Sequence, residues 1–331
     1  MTYSDTLLRL TTIGLIAALT TLSAFASDGI AAYERGDYKG ARTALEQELK
    51  ADADNAQLHY HLGRTLMELQ DSKAAAKTLE RAVELAPNDA DIHVARGEAN
   101  GTIASNVNIL RAGRYAKVVR QSFERALEID PQHIDALDGM IVYKLRAPKL
   151  LGGSKAEALE LSARLIEVAP IRGRVVRANT LRAMERNDEA TSMLNELATE
   201  FKDDPRAHLE LGFMQQNDKN YAEAATYFRA ASIATSDTDE KRYARDMARY
   251  QLGRTAVFSG SNAPEGIEAL RQFLASDERD LRLPGADWAS FRLAELLGKN
   301  GETDEAQALL KSALAMTQDK DLKRRLKAEI N

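Results

Sequence analysis

Histidine is the residue type in this chain best suited to metal chemistry, and there are five. His59 and His61 lie two apart, His93 follows His59 by 34 positions, and His208 occurs further along. A zinc site needs three or four ligands converging at about 2.0–2.3 Å, with further partners to orient the rings. His59, His93 and His208 instead recur at the fourth position of a repeated stretch. Each therefore belongs to a different structural unit and reads as a packing residue.

A second candidate for chemistry is the run Ala147-Pro148-Lys149-Leu150-Leu151-Gly152-Gly153-Ser154. Two glycines ahead of a helix start can aim backbone N–H groups at an anion. The order Gly-x-x-x-x-Gly-Lys is absent, however, while Ser154 and Glu157 make the S-x-x-E pattern of a capping box. The loop reads as a cap. No His-Glu-x-x-His or Gly-x-Ser-x-Gly occurs, and there are no cysteines. Acidic residues are numerous but lie on expected exposed helix faces, so no catalytic carboxylate pair stands out. The expectation is a protein that is not an enzyme and carries no cofactor and no metal.

The elements that position these residues come from one stretch, Ala56–Asp89, which is 34 residues long. Leu62 and Gly63 fall at its positions 7 and 8, Ala75 at 20, Leu79 at 24, Ala82 at 27 and Pro87 at 32. Two amphipathic helices that cross closely need small residues at the crossing, here Gly63 and Ala75, flanked by larger apolar ones. A proline then stops the second helix and starts the next unit. Gly97 repeats Gly63; Gly212, Ala224, Phe228 and Ala231 repeat positions 8, 20, 24 and 27. Ala178, Ala190, Leu194 and Leu197, then Ala294, Ala306, Leu310 and Ala313, do the same. Units start near residues 27, 56, 90, 134, 171, 205, 246 and 287. All seven prolines fall at unit boundaries or in inserted loops.

This pattern resembles the tetratricopeptide repeat, a helix–turn–helix unit of that length. The resemblance implies an all-α, right-handed superhelix of about eight units whose first helices line a concave groove, with positions 2, 5, 9 and 12 pointing inward. On that register the groove is expected to bind through Arg172, Arg206, Phe213, Tyr250, Arg254, Trp288 and Phe291. Its charge grades from acidic (Asp91, Glu98, Asp135, Asp138) through basic to aromatic. The implied partner is a protein or peptide, with cell-envelope assembly as one setting. The alternative is a small-ligand-binding component beside a tripartite solute transporter, built on a closed apolar pocket near Phe213, Tyr250 and Trp288.

Two units depart from the pattern. Between Gly97 and Pro131 the spacing grows by ten residues, either by lengthening both helices about equally or by opening a loop at Gly113-Arg114; Ile103, Val107, Leu110 and Val118 keep helical spacing and favour the former. The second insertion is the Ala147–Ser154 run, and this loop beside a lengthened repeat resembles some exported bacterial members of the family. A polar spacer, Thr235–Glu240, precedes the seventh unit. At the end, Asp319–Asn331 reads as a capping helix with Leu322, Leu326 and Ile330 at i, i+4 and i+8.

Met1–Ala26 reads as a secretory signal peptide: Arg9, the apolar Leu10–Leu22, then Ala24-Phe25-Ala26 as a cleavage site before Ser27. Cleavage there gives a periplasmic or secreted protein without a membrane span. The net charge of −5 and the lack of long basic runs, beyond Lys323, Arg324, Arg325 and Lys327, argue against nucleic acid as a partner.

Overall fold

The computed structural model describes residues 27–276, 280, 282–317 and 319–330. The expected signal peptide, Met1–Ala26, lies outside the described residues. Regular structure among the described residues is entirely helical. The described chain falls into two compact units that divide between residues 108 and 109. The first holds α1 (Asp28–Glu34), α2 (Tyr38–Ala51), α3 (Ala56–Glu68), α4 (Ser72–Leu85) and α5 (Ala90–Ser105). The second opens with α6 (Ile109–Ile129), α7 (Ile134–Arg146), a 3₁₀ turn over Lys149–Leu151, α8 (Lys155–Val168), α9 (Pro170–Ala183) and α10 (Asn187–Glu200). It continues with α11 (Pro205–Asn217), α12 (Tyr221–Ile233), α13 (Asp239–Ser259), α14 (Ala263–Leu274), α15 (Ala286–Lys299), α16 (Thr303–Met316) and α17 (Lys320–Ile330). The fold is an all-α stack of helix hairpins, as the spacing predicts.

In three hairpins the close crossing pairs a glycine of the first helix with a large residue of the second, sixteen positions on. A Cβ on Gly63 would sit 2.4 Å from Leu79 Cγ, one on Gly29 2.5 Å from Leu45 Cγ, and one on Gly212 2.5 Å from Phe228 Cε1. The residue opposite Gly63 is thus Leu79; Ala75, fully buried, fills the seam four residues earlier. Six of the turns between paired helices place one residue in the left-handed region, seven positions after the small residue of the first helix. Glycine serves at Gly36, Gly260 and Gly301, and a side chain is forced into it at Gln70, Glu185 and Lys219. In the first two of these turns the next residue caps the second helix: Asp37 accepts from Gly40 N at 2.9 Å and Asp71 from Ala74 N at 3.2 Å.

The irregular stretches resolve as follows. Gly113 lies inside α6, so the extra residues lengthen helices rather than open a loop; α5 has 16 residues and α6 has 21, against 13 and 14 in α3 and α4. The lengthening is uneven, most of it in α6. In the 147–154 loop Ser154 caps α8, accepting from Glu157 N at 3.2 Å. The Glu157 carboxylate forms an ion pair with Lys144 at 2.5 Å, and Ser154 N donates to Lys144 O at 2.8 Å. Only one arm of the capping box therefore forms. Gly152 is left-handed at φ +94°, and a Cβ on Gly153 would collide with Ala147 O. The seventh unit's first helix, α13, begins at Asp239 rather than near 246. Its N-terminus absorbs Asp239 and Glu240 of the polar spacer, with Thr238 as cap. The C-terminal cap is α17, whose Leu322 and Leu326 are fully buried against the last hairpin.

Candidate interaction surface

The first helices of the second unit, α7, α9, α11, α13 and α15, touch in succession and form one layer. Seven residues of that layer are the expected groove side chains, and the structure separates them into two kinds. Tyr250 and Phe291 are interior, 7% and 2% exposed. Tyr250 packs on Phe273, ring centroids 5.5 Å apart, and burial pushes its hydroxyl pKa up against the pull of Arg292 and Arg254. These two are therefore core residues, which corrects the expectation that they are groove anchors. The reason lies in the neighbours. The 21-residue α13 lies against both α11 and α15, so inward positions meet the adjacent helix. Leu209, Met247 and Val257, at equivalent positions, are buried with them.

The other five keep partial exposure. Arg172 on α9 is bound by α7, with Nε 2.9 Å from Asp138 Oδ2 and Nη1 2.9 Å from Asp135 Oδ1. Arg172 of the basic stretch and Asp135 and Asp138 of the acidic one thus neutralise one another. Arg206 is held in a bidentate pair by Asp204 two residues before it. Phe213 meets Phe228 edge-on at 5.7 Å. Trp288 donates Nε1–H to Asp319 at 3.1 Å and stands edge-on to Phe291 at 6.0 Å. Arg254 donates Nη1–H to the amide oxygens of Gln216 and Gln251, both 3.1 Å away, and lies 5.0 Å over the Phe258 ring. Gln216 is itself fixed by donating to Thr255 Oγ1 at 2.9 Å.

The sequence reading missed Phe258 and Arg292. Arg292 is 8% exposed, bound to Glu295 at 2.7 Å, and stands within 5.5 Å of the Phe258, Phe291 and Trp288 rings. It falls one position off the inward register. Phe258 was legible as the i+4 neighbour of Arg254 on the same helix face.

In the first unit the corresponding layer is α1, α3 and α5. Arg64 pairs with Glu98 at 2.8 Å, and Tyr60 packs edge-on to His61 at 5.1 Å. Burial pushes the Tyr60 hydroxyl up to about 12, with Arg64 opposing.

The position-4 histidines each bind within their own unit. His59, His93 and His208 each turn Nε2 to the carbonyl six residues earlier, of Ala53, Pro87 and Lys202, at 2.9, 3.0 and 2.6 Å. No cluster of three or more metal-ligating side chains occurs there. A cleft of about 430 Å³ between α6, α7 and α8 is walled by Glu124, Glu128, Glu157 and Glu160. Its Glu157 is held below the ordinary carboxylate range by the Lys144 hydrogen bond, the reverse of what a general acid needs. No helix among the described residues is long and apolar enough to cross a membrane.

Residues 32–97 and 175–238 each match a tetratricopeptide repeat model. This is a tetratricopeptide-repeat protein. It is similar to yeast Tom70 at 13% identity, over 89% of this chain and 58% of that one, with a TM-score of 0.57, a likeness of fold alone. It is also similar to MamA (21% identity, 53% and 88% of the two chains, TM-score 0.43). A thermophilic TPR protein of Thermus thermophilus aligns at 19% identity over 61% and 94%, TM-score 0.44. No curated protein matches it. Tetratricopeptide-repeat proteins are protein-binding scaffolds, generally without enzymatic activity, and this chain has that architecture.

Proposed function

We propose that this tetratricopeptide-repeat chain is an exported scaffold that grips an extended segment of another protein on the first-helix layer of residues 109–331. One observation carries the reading. Arg254, Phe213 and Trp288 are partly exposed there yet fixed by neighbours, so recognition costs little side-chain ordering. Arg172 and Arg206, expected at the same surface, are already engaged, Arg172 by Asp135 and Asp138 of α7 and Arg206 by Asp204 at the start of its own helix. Tyr250 is given over to the core, which weighs against an enclosed small-ligand pocket beside it.

The export half of the reading rests on Leu10–Leu22 and Ala24-Phe25-Ala26. N-terminal sequencing of the protein recovered from the envelope fraction should begin at Ser27; an intact Met1 sinks it. The binding half is tested by placing a photo-crosslinking amino acid at Phe213 or Phe258, with Glu196 on α10 as the control. Adducts at 213 and 258 but not at 196 are expected. Adducts at 196 alone move the surface to the second helices.

A further inference from the structure

In a chain of net charge −5, two stretches of the second unit carry cations alone. Residues 109–123, which begin α6, hold Arg111, Arg114, Lys117 and Arg120 and no acid. Residues 139–156, which run from within α7 through the loop into the start of α8, hold Lys144, Arg146, Lys149 and Lys155 and again no acid. The fold puts the two stretches side by side. The 3₁₀ turn Lys149–Leu151 touches α6, and a Cβ on Gly152 would lie 3.5 Å from Arg120 Nη1. The acids that bound the stretches pair within them: Glu124 stands 3.7 Å from Arg120, and Glu157 2.5 Å from Lys144. Leu150, the middle residue of the turn, is 95% exposed. The backbone around it is fixed. Leu151 N and Gly153 N donate to Pro148 O at 2.8 and 3.1 Å, and the Tyr143 hydroxyl donates to Leu151 O. The turn thus holds one large apolar side chain out in water among lysines and arginines.

We propose that the first part of α6 and the 147–155 loop form a docking surface for an anionic lipid bilayer, with Leu150 entering the acyl boundary and the cations lying at the headgroups. The shape of the apolar element favours lipid over protein. Protein partners are anchored where a side chain fills a well-packed pocket, whereas a fluid bilayer admits a lone protruding leucine wherever it lands. The charge points the same way: cations without interspersed acids suit a surface that is negative throughout. Lys149 can follow Leu150 with its stem and keep its ammonium among the headgroups. One leucine and a small set of cations give reversible adsorption and no spanning segment. The docking surface goes beyond the scaffold reading and stands without it.

The chain has no cysteine, so Leu150→Cys in the full chain offers a single site for a polarity-sensitive fluorophore, with Glu196→Cys on α10 as the control. On phosphatidylcholine vesicles containing phosphatidylglycerol, the label at 150 should shift to the blue and brighten, and the label at 196 should not. Phosphatidylcholine alone should give little shift, and high salt should reverse the larger one. The signal comes from position 150 itself, so adhesion through another part of the chain does not imitate it. Adding Lys117→Glu and Lys149→Glu to the chain labelled at 150 should raise the lipid concentration for half the shift about tenfold or more. The same exchange at Lys323 and Lys327 of α17 should raise it less than about twofold. Equal shifts on both lipids, no shift on either, or a half-shift unmoved by the Lys117 and Lys149 exchange overturns the proposal. A shift with polyglutamate but not with vesicles also overturns it and assigns the surface to an acidic protein segment.

Discussion

At the scale of residues, three details carry more than the repeat pattern discloses. The first is the histidine at position 4. A carbonyl only accepts, so the ring nitrogen facing it must carry the proton, and His59, His93 and His208 tie the incoming loop to the first helix of their units. The sequence identified them as packing residues; the hydrogen bond was hidden because its acceptor is a loop backbone atom. His208→Phe keeps the packing and loses the bond, so urea unfolding should show a loss of about 1 kcal/mol. The second is the left-handed turn residue. Lys219 at φ +63° carries a side chain where glycine is at ease. Lys219→Gly relieves that strain at some cost in unfolded-chain entropy, and a net gain of a few tenths to about 1 kcal/mol is expected, read as a raised melting temperature. The third is Tyr60, whose hydroxyl is raised by burial from 10.0 to about 12. The folded state then holds this proton more tightly than the unfolded one. Its contribution is intact below pH 10 and is lost as pH rises from 10.0 to about 12. Tyrosinate absorbance, wild type minus Tyr60→Phe, should show a step near the upper value; a step at the ordinary value rules out the burial.

At the scale of elements, the hairpin depends on the approach of one bare Cα to one large side chain. Gly63 and Gly113 are both helical glycines and should respond in opposite directions. A Cβ at Gly63 meets Leu79 at 2.4 Å, so Gly63→Leu forces the two helices apart and should cost about 1–3 kcal/mol. A Cβ at Gly113 has nothing within 4 Å, so Gly113→Ala should stabilise α6 by about 0.5–1 kcal/mol. Equal effects in thermal melts would contradict the crossing. The recurrence of small residues made the crossing legible in the sequence. The side chain that closes on Gly63 is Leu79, and Ala75 is buried in the same cluster. Periodicity also located the long α6 but not the early start of α13, since Asp239 and Glu240 look like loop by composition and act as the acidic first turn of a helix.

At the scale of the molecule, stability resides in separate clusters. Leu45, Leu62 and Leu79 form one core in the first unit; Phe228, Leu270, Phe273 and Leu297 belong to another in the second. A helix stack leaves an apolar end wherever it stops, and α17 closes one with Leu322 and Leu326, each worth about 1.5–3 kcal/mol on burial. Ending the chain at residue 318 should therefore speed amide exchange in α15 and α16 and leave α3 and α4 unchanged. Uniform loss of protection would mean that the cores melt together.

The sequence by itself determined that the chain is a series of helix hairpins, because side-chain size at a fixed offset is a property of one pair of neighbouring helices. It also marked the cap, the Ser154 start and the arginine-rich middle, all local features. Only the tertiary structure decided which inward-facing residues stay reachable. Tyr250 and Phe291 share a register with Arg254 and Trp288, yet the first two are buried and the second two are not. Exposure depends on how far the next first helix leans in. That distance is set by the packing of many side chains across several units, and no single spacing records it.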